Sequence, residues 1–234
     1  MALLILEKIG KRYRQGEVEV QALQDVDLAV EEGEFAALVG PSGSGKTTLL
    51  NIIGGLDAPS TGRVHLNSID LTAMNEAALS DFRLFQLGFI FQAYNLVPVL
   101  SALENVELIM VLQGREAHER RERAEYYLEL VGLKDLMHRR PSALSGGQQQ
   151  RVAVARALAA GPRLVLADEP TANLDSENAA ALLDIMHRLS HEEKTTFIFS
   201  THDPRVMDRA ERIITLHDGS IIGDKRHQPH DLQA

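Results

Sequence analysis

The chain has no cysteine among its 234 residues. That excludes disulfides and thiolate-bound metals, and it suits a reducing compartment. Positive charge is also scarce. Twenty-four Lys and Arg against 33 Asp and Glu leave a formal charge of −9. Such a surface gives no electrostatic footprint for nucleic acid or for an anionic lipid surface. No apolar run approaches the roughly 20 residues that span a bilayer. The opening stretch Met1-Ala2-Leu3-Leu4-Ile5-Leu6 is apolar but short, has no basic segment ahead of it, and is followed at once by Glu7-Lys8. It reads as a first strand and not as a signal peptide. There is no internal repeat and no low-complexity linker. The expectation is a soluble protein without direct membrane insertion, any membrane role coming through a partner.

A chain of this length with 44% hydrophobic residues can bury one sizeable core, or a core plus a lobe. Strand-like runs recur at 3–9, 18–30, 35–39, 88–91, 163–167, 196–200 and 212–217. Several are almost wholly apolar, as in strands covered on both faces. Helical segments are expected at 46–53, at 101–113, where Ser101 and Glu104 have capping-box spacing, and at 176–189. The stretch 93–161 reads as mostly helical and more polar. Its charged part, 114–123, is a solvated helix face, and Ala117, Ala124, Tyr127, Leu128 and Val131 form an apolar stripe at helical spacing. The organisation read from this is one domain over 1–234. It has an α/β nucleotide-binding core at 1–92 and 162–223, a helical lobe at about 93–161 and a polar, fraying tail at 224–234. His227 and His230 in that tail read as exposed side chains and not as metal ligands.

Three motifs carry chemistry. Gly40-Pro41-Ser42-Gly43-Ser44-Gly45-Lys46-Thr47-Thr48 fits the GxxxxGK(S/T) phosphate loop without a mismatch. Its glycines let backbone N–H groups turn inward around phosphate oxygens. Lys46 can reach the β- and γ-phosphates, Thr47 can place its hydroxyl on Mg²⁺, and the helix that follows points its positive end at the anion. The context agrees, with an apolar strand before the loop and a helix after it. Asp168 and Glu169 end the apolar run Leu164-Val165-Leu166-Ala167. One acid at that place holds Mg²⁺ and the next can act as general base on water; alone, the pair would pass for surface acids. Finally, Ser145-Gly146-Gly147 opens a helix over 148–160. It makes a second anion site or simply a glycine-rich N-cap. Two anion sites far apart in one sequence suggest a nucleotide held between two chains.

Taken in order, these residues resemble the ATP-binding subunit of an ABC transporter, over about 5–222. The resemblance implies a phosphate-loop NTPase core with a mixed sheet, an antiparallel β region and a helical signature subdomain. It implies ATP and Mg²⁺ as cofactors, with ATP contacts along the loop from Gly40 to Thr48, including Ser42, Gly43, Ser44 and Gly45. It assigns Tyr13 to stacking on adenine. It assigns Lys46, Gln92, Glu169 and His202 to catalysis, His202 touching the γ-phosphate and orienting the water. Thr47, Gln92 and Asp168 go to the metal. Ser145, Gly146, Gly147 and Gln148 face the ATP of an opposite protomer, and Asp175 crosses the interface of that homodimer. A membrane permease then docks its coupling helix along 89–100, from Phe89 to Leu100, beside Gln92. The subunit lies peripherally on the cytoplasmic face of the inner membrane.

A narrower resemblance lies in Gly54-Gly55-Leu56-Asp57, in Gly88-Phe89-Ile90-Phe91-Gln92, in Asn95-Leu96-Val97-Pro98, in Leu103-Glu104-Asn105-Val106 and in the run 144–151 as LSGGQQQR. These are similar to the subgroup serving lipoprotein release, macrolide export and peptide resistance, with a cell-division relative. Ala172 stands where that subgroup more often has glycine. Chromosome and repair ATPases of this kind carry long coiled-coil inserts, and translation factors carry two such domains; neither fits here. A non-transport ATPase that regulates a membrane partner, as in cell division, stays open, and cargo is not encoded.

Overall fold

The computed structural model describes residues 2–16 and 18–226, with the backbone alone at Gln15, Val18, Pro204 and Arg205. The chain opens with two long strands, β1 (Ala2–Gln15) and β2 (Val18–Glu31), followed by β3 (Phe35–Val39) and helix α1 (Lys46–Ile53). Next come β4 (Thr61–Leu66), β5 (Ile69–Asp70), α2 (Glu76–Gln86) and β6 (Leu87–Ile90). Three helices follow, α3 (Ala102–Leu112), α4 (Ala117–Leu130) and α5 (Gly146–Ala159). The chain then returns through β7 (Leu164–Ala167), α6 (Ser176–Glu193), β8 (Thr196–Thr201), the single turn α7 (Pro204–Met207), β9 (Arg212–His217) and β10 (Ser220–Arg226).

The strands form two sheets. One is antiparallel, in the order β2-β1-β4-β5; the other has the order β10-β9-β3-β8-β7-β6 and is parallel except for β10. This is the α/β architecture with a mixed sheet and an antiparallel region expected from the sequence. The central strands are apolar on both faces because both faces are covered. Phe35, Ala37 and Val39 of β3 point into a cluster with Phe197, Phe199, Val106, Leu128, Val154 and Leu182, drawn from the neighbouring strand and from α3 to α6. Ala36 and Leu38 point the other way, onto Leu49, Ile52 and Ile53 of α1 and the inner face of the antiparallel sheet. Each such aliphatic or aromatic side chain contributes about 1.5–3 kcal/mol by leaving water. The helical segment therefore shares one hydrophobic cluster with a face of the central sheet.

Register positions the site. Val39 pairs with Thr201 and Ala167 with Phe199. Hence Gly40, Asp168, Glu169 and His202, the residues just past these strand ends, gather on one edge of the sheet. That is where parallel α/β sheets bind ligands.

Several elements differ from the sequence pattern. β4, β5 and α2 have no counterpart in it. α2 buries only Phe82, so it lacks the apolar stripe that periodicity detects, and it depends on Asn75 as its N-cap. α6 runs four residues beyond 189, stopping where Lys194 turns left-handed at φ 53°. Ala117 is exposed; the apolar stripe of α4 begins at Ala124. Asp224, Lys225 and Arg226, expected in a frayed tail, are the last residues of β10, paired with Ile214, Ile213 and Arg212. His227 and His230 lie outside the described residues. Among the described residues, no helix is long and apolar enough to cross a membrane.

Candidate active site

The phosphate loop wraps the N-terminus of α1. Gly45, the N-cap, has φ 104°, and a Cβ there would lie 2.6 Å from the Ala22 carbonyl, so both conformation and space require glycine. Leu49 N–H donates to the Gly45 carbonyl, and the amides of the helix's first turn ahead of it have no acceptor within the helix. Lys46 is buried, its ammonium donating to the carbonyls of Gly40 at 2.8 Å and Pro41 at 2.9 Å. An ammonium has three donors, so one remains for an anion. Ser44 is buried too, and its hydroxyl has no hydrogen-bond partner within the chain. A helix N-terminus with open first-turn amides, a buried cation and an orphaned hydroxyl fit a phosphate group.

Across the sheet edge, the Thr47 hydroxyl donates to Asp168 Oδ2 at 2.9 Å. Ser200 Oγ donates to Asp168 Oδ1 at 2.6 Å and accepts from the Glu169 N–H at 2.9 Å. Ser200 thus fixes both carboxylate residues at once. Glu169 has φ 46°, a left-handed backbone that costs a non-glycine residue about 1–3 kcal/mol and persists only where its surroundings hold it. The Ser200 contact holds it on one side, and the Ala172 N–H on the Glu169 carbonyl on the other. His202 Nδ1 lies 3.0 Å from Glu169 Oε1. An ionised carboxylate only accepts, so the proton of that contact sits on Nδ1. Thr47 and Asp168 offer hard oxygen ligands, the donor type that Mg²⁺ prefers.

The remaining expected residues surround this centre. Tyr13, on β1, is 37% exposed; its hydroxyl donates to Asp57 Oδ2 at 2.6 Å, and Lys11 Nζ stands 4.8 Å over its ring. Partial burial and that hydrogen bond push its phenol up from the usual value. Gln92 is exposed just past β6, and its carbonyl accepts from Asn173 Nδ2 at 2.9 Å. Ser145 is the N-cap of α5 and forms a full capping box with Gln148: its hydroxyl accepts from the Gln148 N–H, and Gln148 Oε1 accepts from the Ser145 N–H. Gly146 and Gly147 therefore form the first turn of α5, two residues earlier than the sequence pattern places its start. Asp175 caps α6, and the hydrogen bonds from the Asn178 backbone and side chain hold its carboxyl below the usual range. Among the described residues, no hydrogen bond joins 145–148 to the phosphate loop.

A family model described as ABC transporter matches residues 23–172. The chain belongs to the ABC transporter family. It is 48% identical over 224 residues to the lipoprotein-releasing system ATP-binding protein LolD of Anaeromyxobacter dehalogenans, covering 95% of this chain and 94% of that one. It is 46% identical over 223 residues to the macrolide export ATP-binding/permease protein MacB of Bartonella henselae, covering 95% of this chain but 34% of that longer protein. Its fold superposes with a TM-score of 0.89 on the cassette MJ0796 of Methanocaldococcus jannaschii, solved as a dimer in a post-hydrolysis state bound to ADP and Pi. That pair is 41% identical over 96% of this chain and 99% of the other. The chain is accordingly an ATP-binding ATPase subunit of ABC type, similar to those of lipoprotein release and macrolide export.

Within this ABC subunit the structure brings Lys46, Thr47, Asp168, Glu169 and His202 to one edge and leaves 145–148 apart from them. Sequence reasoning missed Ser200, Asp57 and Asn173, which touch Asp168 and Glu169, Tyr13 and Gln92 in turn. Ser200 had a signal, since a hydroxyl two residues before His202 on a strand adjoining Asp168 faces the same edge.

Proposed function

We propose that two copies of this chain close head-to-tail over two ATP molecules and so drive a membrane permease in export or lipoprotein release. The observation that carries this is a division within the chain. The groups able to do chemistry are wired together by Thr47, Asp168, Ser200, Glu169 and His202, whereas the capped N-terminus of α5 is an anion site standing free of them. Each half lacks what the other has. In the closed pair, Lys46 and the amides of 40–48 hold the phosphates of one ATP, and Tyr13 offers its ring to the adenine. Ser145, Gly146, Gly147 and Gln148 of the second copy meet the γ-phosphate, and Asp175 reaches across the seam. The γ-phosphate then favours the closed form because it is held from both sides, and hydrolysis removes that bridge.

Thr47, Asp168 and Gln92 would hold Mg²⁺, which when bound neutralises charge on the β- and γ-phosphate oxygens. Glu169 takes a proton from the attacking water, and His202, bonded to it through Nδ1, orients the carboxylate and faces the γ-phosphate.

The permease contact is supported by a cavity of about 560 Å³ lined by Leu56, Leu84, Phe89, Phe91, Ile109 and Leu112. Phe89 and Phe91 stack 5.8 Å apart within it. The cavity lies between α2, α3 and the start of 89–100, and its apolar lining supports reading that region as the socket for a coupling helix. Such a subunit works peripherally, on the cytoplasmic face of the membrane that holds its permease.

Sedimentation tests the pairing. Glu169→Gln with ATP and Mg²⁺ is expected as a dimer, and with ADP as a monomer. A monomer with ATP at high protein concentration would overturn the two-chain site.

A further inference from the structure

One cluster takes no part in the nucleotide site. His187 and His191 stand four residues apart on α6, hence on the same face of the helix. Glu211, the residue before β9, meets them there; its N–H donates to the Phe35 carbonyl at 3.0 Å, which ties it to the start of β3. His187 is mostly buried and packs edge-on against the Phe35 ring, with centroids 5.2 Å apart. The ring of His191 lies across that of His187 at 4.5 Å and 72°. His187 Nε2 is 3.1 Å from Glu211 Oε1, His191 Nε2 is 2.8 Å from the same oxygen, and the two nitrogens are 3.2 Å apart.

These three contacts cannot all be hydrogen bonds. Each Nε2 carries one proton or one lone pair, and an ionised carboxylate only accepts. If both nitrogens donate to Glu211, their N–H groups confront each other. If one nitrogen donates to the other, the receiver turns its lone pair toward the carboxylate oxygen. Under every assignment one contact is repulsive. A cation bound by a lone pair from each of the three atoms removes the conflict. The spacing also suits one. Ligand atoms about 2.1 Å from a shared ion lie roughly 3.0 Å apart at right angles and roughly 3.4 Å apart at tetrahedral angles. Two of the observed separations, 3.1 and 3.2 Å, fall near the right-angled end of that span, and the third, 2.8 Å, lies just below it.

We propose that His187, His191 and Glu211 form a binding site for a zinc-class divalent transition metal, at the opposite end of the sheet from the phosphate loop. Two imidazoles and one carboxylate select ions of this class over Mg²⁺ and Ca²⁺, which take all-oxygen ligand sets. The i, i+4 histidine pair on a helix is the spacing that presents two imidazoles to one zinc ion. With three protein ligands, the other coordination positions face solvent. The ion would fasten the C-terminal half of α6 to the sheet at β3 and β9.

The test uses the full chain without nucleotide and Zn²⁺ alone as the probe, in a parent carrying His227→Ala and His230→Ala so that the terminal histidines contribute nothing. Equilibrium dialysis is expected to give one Zn²⁺ per chain, Co²⁺ to develop a visible ligand-field band, and the melting temperature to rise with Zn²⁺ concentration. His191→Ala, at a side chain 52% exposed, and Glu211→Gln are each expected to weaken Zn²⁺ binding by about ten- to a hundredfold and to abolish the thermal shift. Both variants should keep the parent's melting temperature in the absence of metal to within a few degrees, and its ATPase rate. Asp168→Asn should leave Zn²⁺ binding untouched, which separates this site from the nucleotide site. The proposal is overturned if the parent binds no Zn²⁺, or if His191→Ala and Glu211→Gln bind it as the parent does.

Discussion

At the C-terminal end of the parallel strands Glu169 meets His202 at 3.0 Å; at the N-terminal end Glu211 meets His187 at 3.1 Å and His191 at 2.8 Å. The residue types are the same and the surroundings are not. Around Glu169 stand the hydroxyls of Thr47 and Ser200, the Asp168 carboxylate, the open first-turn amides of α1 and a left-handed backbone at Glu169 itself. Around Glu211 stand two imidazoles, one of them packed against the Phe35 ring, the Phe35 carbonyl and an ordinary strand start. The first neighbourhood suits phosphate and a hard cation, and on the proposed function its carboxylate is the base for the attacking water. The second suits a softer ion. A Glu–His contact therefore has no fixed meaning; its neighbours decide whether it serves proton transfer or ligation.

The sharpest way to break this comparison is Glu169→Gln. Hydrolysis is expected to fall by about a hundredfold or more while ATP affinity is kept, since the amide preserves shape but takes no proton. Steady-state turnover beside equilibrium ATP binding checks it, and near-normal turnover would remove Glu169 as the base. Lys46→Ala should raise the ATP dissociation constant by roughly ten- to a hundredfold, the worth of one charge-assisted contact to phosphate; an unchanged constant would take Lys46 out of the site. Ser200→Ala removes the donor to Asp168 and the acceptor for the Glu169 amide. We expect roughly a tenfold loss of turnover and about 1–3 kcal/mol of stability, with Ser200→Thr recovering much of the turnover. If Ser200→Ala hydrolyses ATP normally, the two acids do not depend on that hydroxyl for their placement. Glu211→Gln, by contrast, should leave the ATPase rate within about twofold, because nothing at that end touches the phosphate loop.

The same contrast governs how much was legible in the sequence. The phosphate loop, β3, α1, β9 and the Ser101–Glu104 capping box could all be read, because glycine spacing, unbroken apolar runs and cap residues are local signals. α2 escaped because it buries a single residue, and β4 and β5 because their order comes from pairing with β1 and with each other and not from a strong alternation of their own. Candidate site residues inside an ordered motif could be named from the sequence, and the residues that only touch them could not. Ser200 lies 31 residues from Glu169, Asn173 lies 81 from Gln92, and Asp57 lies 44 from Tyr13. No spacing rule joins such pairs: the register of β7 against β8 brings Ser200 to Glu169, while Asn173 and Gln92 meet from the loops after β7 and β6, and Tyr13 on β1 meets Asp57 in the loop after α1. Glu211 and His187 are separated by 24 residues and escaped for the same reason.

The smallest expected effect belongs to the N-terminal end as well. Arg212, beside Glu211, donates Nε to Asp224 Oδ1 at 2.8 Å and an Nη to Asp224 Oδ2 at 2.7 Å, while its other Nη donates to Glu34 at 2.6 Å. The Arg212 hydrogen bonds hold the Asp224 carboxyl below the usual carboxylate range. A group whose value is lowered by folding stabilises the fold at every pH above its unfolded value, about 3.9, and that stability is lost as pH falls through the folded value. The pairing of β10 with β9 should therefore weaken below about pH 4. Asp224 is 39% exposed, so solvent screening limits the contribution to under about 1 kcal/mol. Melting curves of the parent and Asp224→Asn from pH 7 to pH 3 isolate it. The two should differ most near neutrality and converge in acid, with ATPase activity at pH 7 alike in both. A constant gap at all pH values would mean that Asp224 acts by packing and not by charge, and a fall in ATPase activity would mean that the two ends of the sheet are coupled.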